Sequence, residues 1–294
     1  PNGAQTVYGG IITGGAHGVS VSQGEFTLAG GTIVGNGTSD TREGGGVYVN
    51  AGEFNMSGGK IVGNSAGQGC GVYLEGKYNS SDVIETYAEF HMLGGEITFN
   101  NMITSNMSFA GVVCLADAAK FVFDGGTIKE KNAVDCKDST LFTMSGGMIT
   151  YTETQTGGYG VDGSGGEFVM NSGEILNEGT GVRVDSGSLI MNGGNIHKNF
   201  YYGVFIVGNN SEFMLQNGSI DENHRYGVWI SGSNSTAVMS NGSVCNNGGS
   251  KDVNNSNDGG GVIVYSPATI SLSGGIAISG NRTTETSSSG TYEL

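Results

Sequence analysis

Short stretches in which apolar and polar residues alternate recur along the chain in a fixed order: Gly-Val-x-Val, then Phe-x-Met, then Gly-Gly-x-Ile followed by Asn. The clearest copy is Gly46-Val47-Tyr48-Val49, Phe54-Asn55-Met56, Gly58-Gly59-Lys60-Ile61 and Asn64. The Phe-type position returns at Phe26, Phe54, Phe90, Phe121, Phe142, Phe168, Leu189 and Phe213, then loosens to Ala237 and Ile270, at intervals of 21 to 36 residues. Alternation over three or four positions is the period of a short strand with one buried face. Three such strands, separated by glycine turns, predict a triangular rung of about 20–24 residues plus loops. About ten rungs stacked strand on strand give an all-β fold, a parallel β-helix with three short strands per rung. No single rung can bury its apolar face, so the stack is expected to be one cooperative domain over residues 1–294.

Stacking turns equivalent positions into columns. One inward column is expected to hold Val49, Leu74, Cys114, Cys136, Val184, Ile206 and Ile230, and another Met56, Met92, Met144, Met170 and Met191. Cys114 and Cys136 then fall on adjacent rungs, as a disulfide or as stacked thiols, while Cys70 and Cys245 stand apart. The recurring Asn (Asn36, Asn64, Asn100, Asn199, Asn223, Asn247, Asn281) sits where the chain turns, and its amide is expected to bond the next rung. Residues 1–16 and 282–294 fit no rung and read as caps or linkers. The sequence contains no signal-peptide pattern, and Pro1 reads as the start of a trimmed chain, so localisation has to be argued indirectly.

Composition narrows the function classes. Of 294 residues 56 are Gly and 2 are Pro, yet 36% are hydrophobic, which fits neither collagen nor a disordered linker. With 12 Lys+Arg against 27 Asp+Glu and a net charge of −15, the chain lacks the basic footprint of a nucleic-acid or anionic-lipid binder. No apolar run approaches membrane-spanning length. The 4 His and 4 Cys show no zinc-ligand spacing, so no metal and no cofactor is expected.

Residues 44–64 read Gly-Gly-Gly-Val-Tyr-Val, Phe-x-Met-Ser-Gly-Gly and Ile-x-Gly-Asn almost in full. This pattern resembles the glycine-rich repeats of bacterial adhesin-like surface proteins, and the likeness extends over residues 17–281. It implies the right-handed, single-stranded, pectate-lyase-like superfold and a secreted or surface-anchored bacterial protein. That superfold carries lyases, glycoside hydrolases, tailspikes and adhesins, so the resemblance bears on architecture and not on activity.

Function then belongs to outward positions and inserted loops. The outward residue of the first strand is expected to run Ser20, Tyr48, Tyr73, Val113, Asp135, Asp162, Arg183, Phe205, Trp229, Ile263. Tyr159, Tyr202 and Tyr226 precede Gly-Val pairs. Aromatic faces stack on sugar rings while carboxylates and an Arg bond hydroxyls or acidic groups, so Tyr159, Arg183, Tyr202, Phe205, Tyr226 and Trp229 are candidate ligand-binding residues for a glycan or a host or cell-surface ligand. If the protein is an enzyme, Asp135, Asp162 and Asp185 are the candidate catalytic acids. A ladder on successive rungs would put them about 5 and 10 Å apart, bracketing glycosidase carboxylate spacings. Outward aromatic stacks and Asp–Arg pairs also occur simply as sheet stabilisers. A second outward row carries Val169, Ile190, Met214 and Val238, an apolar strip suited to a protein contact.

Insertions at 37–44, 101–110, 153–158 and 248–259 precede first strands, and 76–87 follows one; such loops could wall a groove. Gly157-Gly158-Tyr159-Gly160-Val161-Asp162 lacks the tandem copies of the calcium-binding nonapeptide, and Asn-x-Ser/Thr triplets are expected by chance here. The leading expectation is a non-catalytic, extracellular adhesin-like glycan-binding module. The alternatives are a glycoside hydrolase or polysaccharide lyase and a structural stalk.

Overall fold

A computed structural model of the chain describes residues 4–103, 111–151, 157–248 and 259–282. These residues contain strands and turns and no helix. The strand that opens each repeat joins a 10-stranded sheet, from Val19–Val21 at one end to Gly260–Val264 at the other. The second and third strands of the repeats make a 20-stranded sheet. Within both sheets every ladder is parallel and joins a strand to its equivalent in the neighbouring coil.

The hydrophobic columns fix this register. The Phe position aligns without a slip from Phe26 through Phe54, Phe90, Phe121, Phe142 and Phe168 to Leu189, Phe213, Ala237 and Ile270. Ring centroids along it are 5.0 Å (Phe54–Phe90), 4.6 Å (Phe90–Phe121), 4.8 Å (Phe121–Phe142) and 4.7 Å (Phe142–Phe168) apart. Hydrogen-bonded strands are spaced about 4.8 Å apart, so the backbone itself sets the rings at stacking distance. The Met column aligns likewise, with Phe123 and Leu215 filling its gaps. One continuous cluster of buried apolar side chains runs from Val19 to Ala268. A one-residue slip would turn all of it toward water.

Glycine has two separate uses. In Gly-Gly-x-Ile the second glycine has positive φ, as at Gly59 (79°) and Gly194 (82°). The glycine of Gly-Val is not strained but crowded. A Cβ on Gly227 would lie 2.5 Å from Val244 Cγ1, 2.7 Å from Asn247 Nδ2 and 2.8 Å from the Gly261 carbonyl. Glycine there lets the Ile-type and Asn columns close against the neighbouring backbone.

The Asn column forms a hydrogen-bonded ladder. Asn199 donates from its backbone N and Nδ2 to Asn223 Oδ1 (3.1 and 2.9 Å), and Asn223 does the same to Asn247 (3.0 and 2.9 Å). In the middle of the stack glutamates replace asparagine. Asn100 donates to Glu130 Oε1 at 2.7 and 3.2 Å, while Glu178 donates its backbone N–H to Asn199 Oδ1 at 3.1 Å. Glu178 is 1% exposed, and both its carboxylate oxygens lack a partner. Burial pushes Glu130 up to about 7 and raises Glu178 well above the usual range, with the Glu130 charge adding to the second effect.

Three expectations need correction. Cys114 does not share the inward column with Cys136: it registers with Tyr73 and Asp135, and Leu115 stands inward between Leu74 and Cys136. All four cysteines are free. Val113 is correspondingly inward, paired with Val72 and Val134. The run Val112-Val113-Cys114-Leu115-Ala116 is apolar throughout, so alternation cannot fix its phase; Val112 occupies the place that glycine holds in most coils. Finally, residues 1–16 are not outside the stack. Gln5–Val7 pairs with Glu25–Leu28, and Ile11–Ile12 pairs with Thr32–Val34. Of the C-terminal stretch 282–294, all but residue 282 lies outside the described residues. Most of the insertions at 101–110, 153–158 and 248–259 lie outside them too. The 76–87 insertion is an antiparallel hairpin, Lys77–Tyr78 with Ile84–Thr86.

Candidate functional site

On the outer face of the 10-stranded sheet the in-register row runs Ser20, Tyr48, Tyr73, Cys114, Asp135, Asp162, Arg183, Phe205, Trp229, Ile263. It divides into three zones. At one end His17, Tyr48 and Tyr73 stack, with centroids 5.1 and 5.8 Å apart.

The middle zone is acidic but closed. Asp135 and Asp162 are direct neighbours in the row. Asp185 is not the third member of a straight ladder. Arg183 takes that place, and Asp185 stands beside Ser164 in the adjacent row. Arg183 joins them: Nη1 donates to Asp162 Oδ1 and Oδ2 at 2.9 and 3.1 Å, and Nη2 donates to Asp185 Oδ2. The Tyr159 ring lies 5.6 Å from the Arg183 Cζ. Asp135 and Asp162 were expected to face a groove, yet they are only 2% and 3% exposed. Among the groups around them, Lys137 Nζ donates to Gln68 Oε1, and the Cys114 thiol lies 3.9 Å from that oxygen and 3.7 Å from Asp135 Oδ2.

This burial sets the protonation. Desolvation pushes Asp135 up to about 7, opposed by the Lys137 cation and reinforced by the Asp162 carboxylate. Its Oδ1 has no hydrogen-bond partner. Asp162 is also raised by burial, with the Arg183 guanidinium acting against the shift. Two adjacent carboxyls thus differ in environment, one paired to a cation and one not. Among the described residues no group of three or more His, Cys, Asp or Glu is arranged to hold a metal ion.

The third zone is aromatic. Tyr202 and Phe205 stack at 4.8 Å, and Tyr202 lies 6.1 Å from Tyr226 in the next coil. The half-buried Trp229 touches all three, at 5.5 Å (Tyr202), 6.3 Å (Phe205) and 5.3 Å (Tyr226), and meets Tyr265 at 4.7 Å. Tyr226 is 7% exposed and supports the cluster from beneath, whereas Tyr265 is 45% exposed. The chain brings these rings together because the Tyr-Gly-Val-aromatic-Ile pattern occurs on two successive coils, Tyr202–Ile206 and Tyr226–Ile230.

Two features lie elsewhere. The strip Val169, Ile190, Met214, Val238 aligns in register, and Val238 is 42% exposed. Clefts of about 1040 and 550 Å³ share Tyr87 of the hairpin insertion as a wall. The larger is lined in part by Glu25, Glu53, Glu85 and Glu89, of which Glu25, Glu53 and Glu89 form one in-register row. The position between Phe and Met does not reveal that row. Its signal is a Glu directly ahead of the Phe in several repeats, as in Glu53-Phe54 and Glu89-Phe90. No protein-family model matches the chain, nor does any curated protein or solved structure.

Proposed function

We propose that the chain is an extracellular, adhesin-like binding module of bacterial origin, built as a right-handed parallel β-helix, whose aromatic zone binds glycans. Right-handedness follows the general preference of parallel strand crossovers. The bacterial, cell-surface assignment rests on the repeat resemblance centred on residues 44–64. The observation that carries the binding reading is the aromatic cluster of Tyr202, Phe205, Tyr226, Trp229 and Tyr265, partly open on a sheet face. Rings locked against one another offer a preformed apolar surface at little entropic expense, which suits the apolar face of a sugar ring.

The test is a glycan array probed with the wild-type chain and with Trp229→Ala. Wild-type signal that falls at least tenfold in the variant is the expected result; a truncated interface anchor typically costs about 2 kcal/mol or more. An array equally blank for both proteins contradicts glycan binding and favours a structural stalk.

A second reading, a polysaccharide-active enzyme, is favoured by one observation: Asp135 is raised to about 7 beside Asp162, which Arg183 pairs. Unlike carboxyls side by side are the pattern of an acid and its partner. Depolymerisation by the wild type that disappears in both Asp135→Asn and Asp162→Asn would establish it. The near-complete burial of both acids supports the binding module instead.

A further inference from the structure

We propose that Arg225, backed by His224 and Tyr201, receives an anionic group of the bound glycan, which makes the ligand an acidic glycan, carboxylated or sulfated. This rests on the aromatic-zone reading above and extends it around the corner of the coil.

Arg225 and His224 lie in the turn that leads into the strand Tyr226–Ile230. Backbone bonds set them against the previous coil: Arg225 N donates to the Tyr201 carbonyl at 3.0 Å and His224 N to the Asn199 carbonyl at 2.9 Å. The Arg225 Cζ lies 5.0 Å from the Tyr201 ring, and the His224 ring is 5.6 Å from Phe200. Tyr201 is in turn 6.2 Å from Tyr202, the first ring of the aromatic zone. One continuous aromatic surface therefore ends on a guanidinium.

Two polar atoms at this end have no hydrogen-bond partner among the described residues. Arg225 Nε and His224 Nδ1 are both shielded from water and unpartnered. Among the described residues no carboxylate lies within ion-pair distance of Arg225, whereas Arg183 holds two and Lys198 pairs with Glu222 at 3.7 Å. Shielded polar atoms without partners are rare in native proteins and call for an explanation. A guanidinium placed beside a ring presents a planar fork matched to a carboxylate or sulfate, while neighbouring rings stack on the sugar that carries it.

The experiment uses an array of neutral, uronate-bearing and sulfated oligosaccharides. It is probed with the wild type, Arg225→Gln, Arg225→Lys and Trp229→Ala. Wild-type signal is expected on the anionic glycans and to fall about tenfold or more in Arg225→Gln, the scale of a lost charge-assisted hydrogen bond. Arg225→Lys should retain part of it, and added salt should weaken it. Comparing the uronate and sulfate spots identifies the anion. Wild-type binding confined to neutral glycans, or an Arg225→Gln pattern identical to wild type, overturns the proposal and leaves the aromatic reading intact. Loss of that reading shows separately, as a Trp229→Ala pattern equal to wild type or as a blank array.

Discussion

Phe121→Ala is expected to lower the unfolding free energy by about 3–5 kcal/mol, the range for deleting a buried aromatic ring. Phe121 is fully buried at the centre of the Phe column. It stacks on Phe90 at 4.6 Å and Phe142 at 4.8 Å, and it meets Phe123 at 5.8 Å. The strands on either side are hydrogen-bonded at their own fixed spacing, so they cannot close over the gap; the residual cavity keeps the effect near the top of the range. Because each coil touches only its neighbours, both interfaces of one coil weaken together. Guanidinium unfolding followed by circular dichroism measures the change. Thr143→Ala, on the outer side of the adjacent strand, is the control and should shift stability by about 0.5 kcal/mol or less. Equal effects for the two variants would contradict a packed interior.

The second large effect depends on pH. Glu130 is raised from 4.5 to about 7, which corresponds to about 3 kcal/mol of disfavoured ionisation. Between those two values the folded chain holds a proton that the unfolded chain has released. Stability from this group is therefore fully present below pH about 4.5, falls as pH rises to about 7, and is flat beyond. Glu178, buried without any partner for its oxygens, acts in the same direction, and so does the raised Asp135. Glu130→Gln keeps an acceptor for Asn100 and removes the ionisation. The variant should match wild type near pH 4 and exceed it by about 3 kcal/mol at pH 8. Glu178→Gln should show the same sign. Unfolding curves for wild type and variants at the two pH values check this; a variant that is less stable than wild type at pH 8 would contradict it.

Much of the architecture is legible in the sequence because its signals are local and repeated. Phe54, Met56 and Ile61 lie within a few residues of one another, and each coil repeats their order, so their columns follow directly. Legibility stops where alternation stops. Val112 to Ala116 are all apolar, and only the hydrogen-bonded register puts Cys114 outward. Gln5–Val7 carries no recurring Phe, and its pairing depends on the coil beneath it. The candidate site shows the same division. The row Asp135, Asp162, Arg183, Phe205, Trp229 can be read from spacing, but the burial of its acids cannot. That burial depends on Gln68, Lys137 and Arg183 side chains reaching across coils, which periodicity does not encode. Nor does it show that Arg225, a residue in a turn, ends an aromatic surface.

Every site assignment depends on coils stacked in register, with alternate residues facing outward. Cysteine cross-linking tests this most directly, in a Cys245→Ser background because Cys70, Cys114 and Cys136 are buried. Ile190 and Met214 are register partners on adjacent strands, and Val238 lies one strand further along the same row. Adjacent strands are about 4.8 Å apart and alternate strands about 9.6 Å. A disulfide requires Cα atoms roughly 4.4–6.8 Å apart. Ile190→Cys with Met214→Cys should cross-link under mild oxidation, and Ile190→Cys with Val238→Cys should not. The reverse outcome, or equal cross-linking of both pairs, would contradict the stacked register.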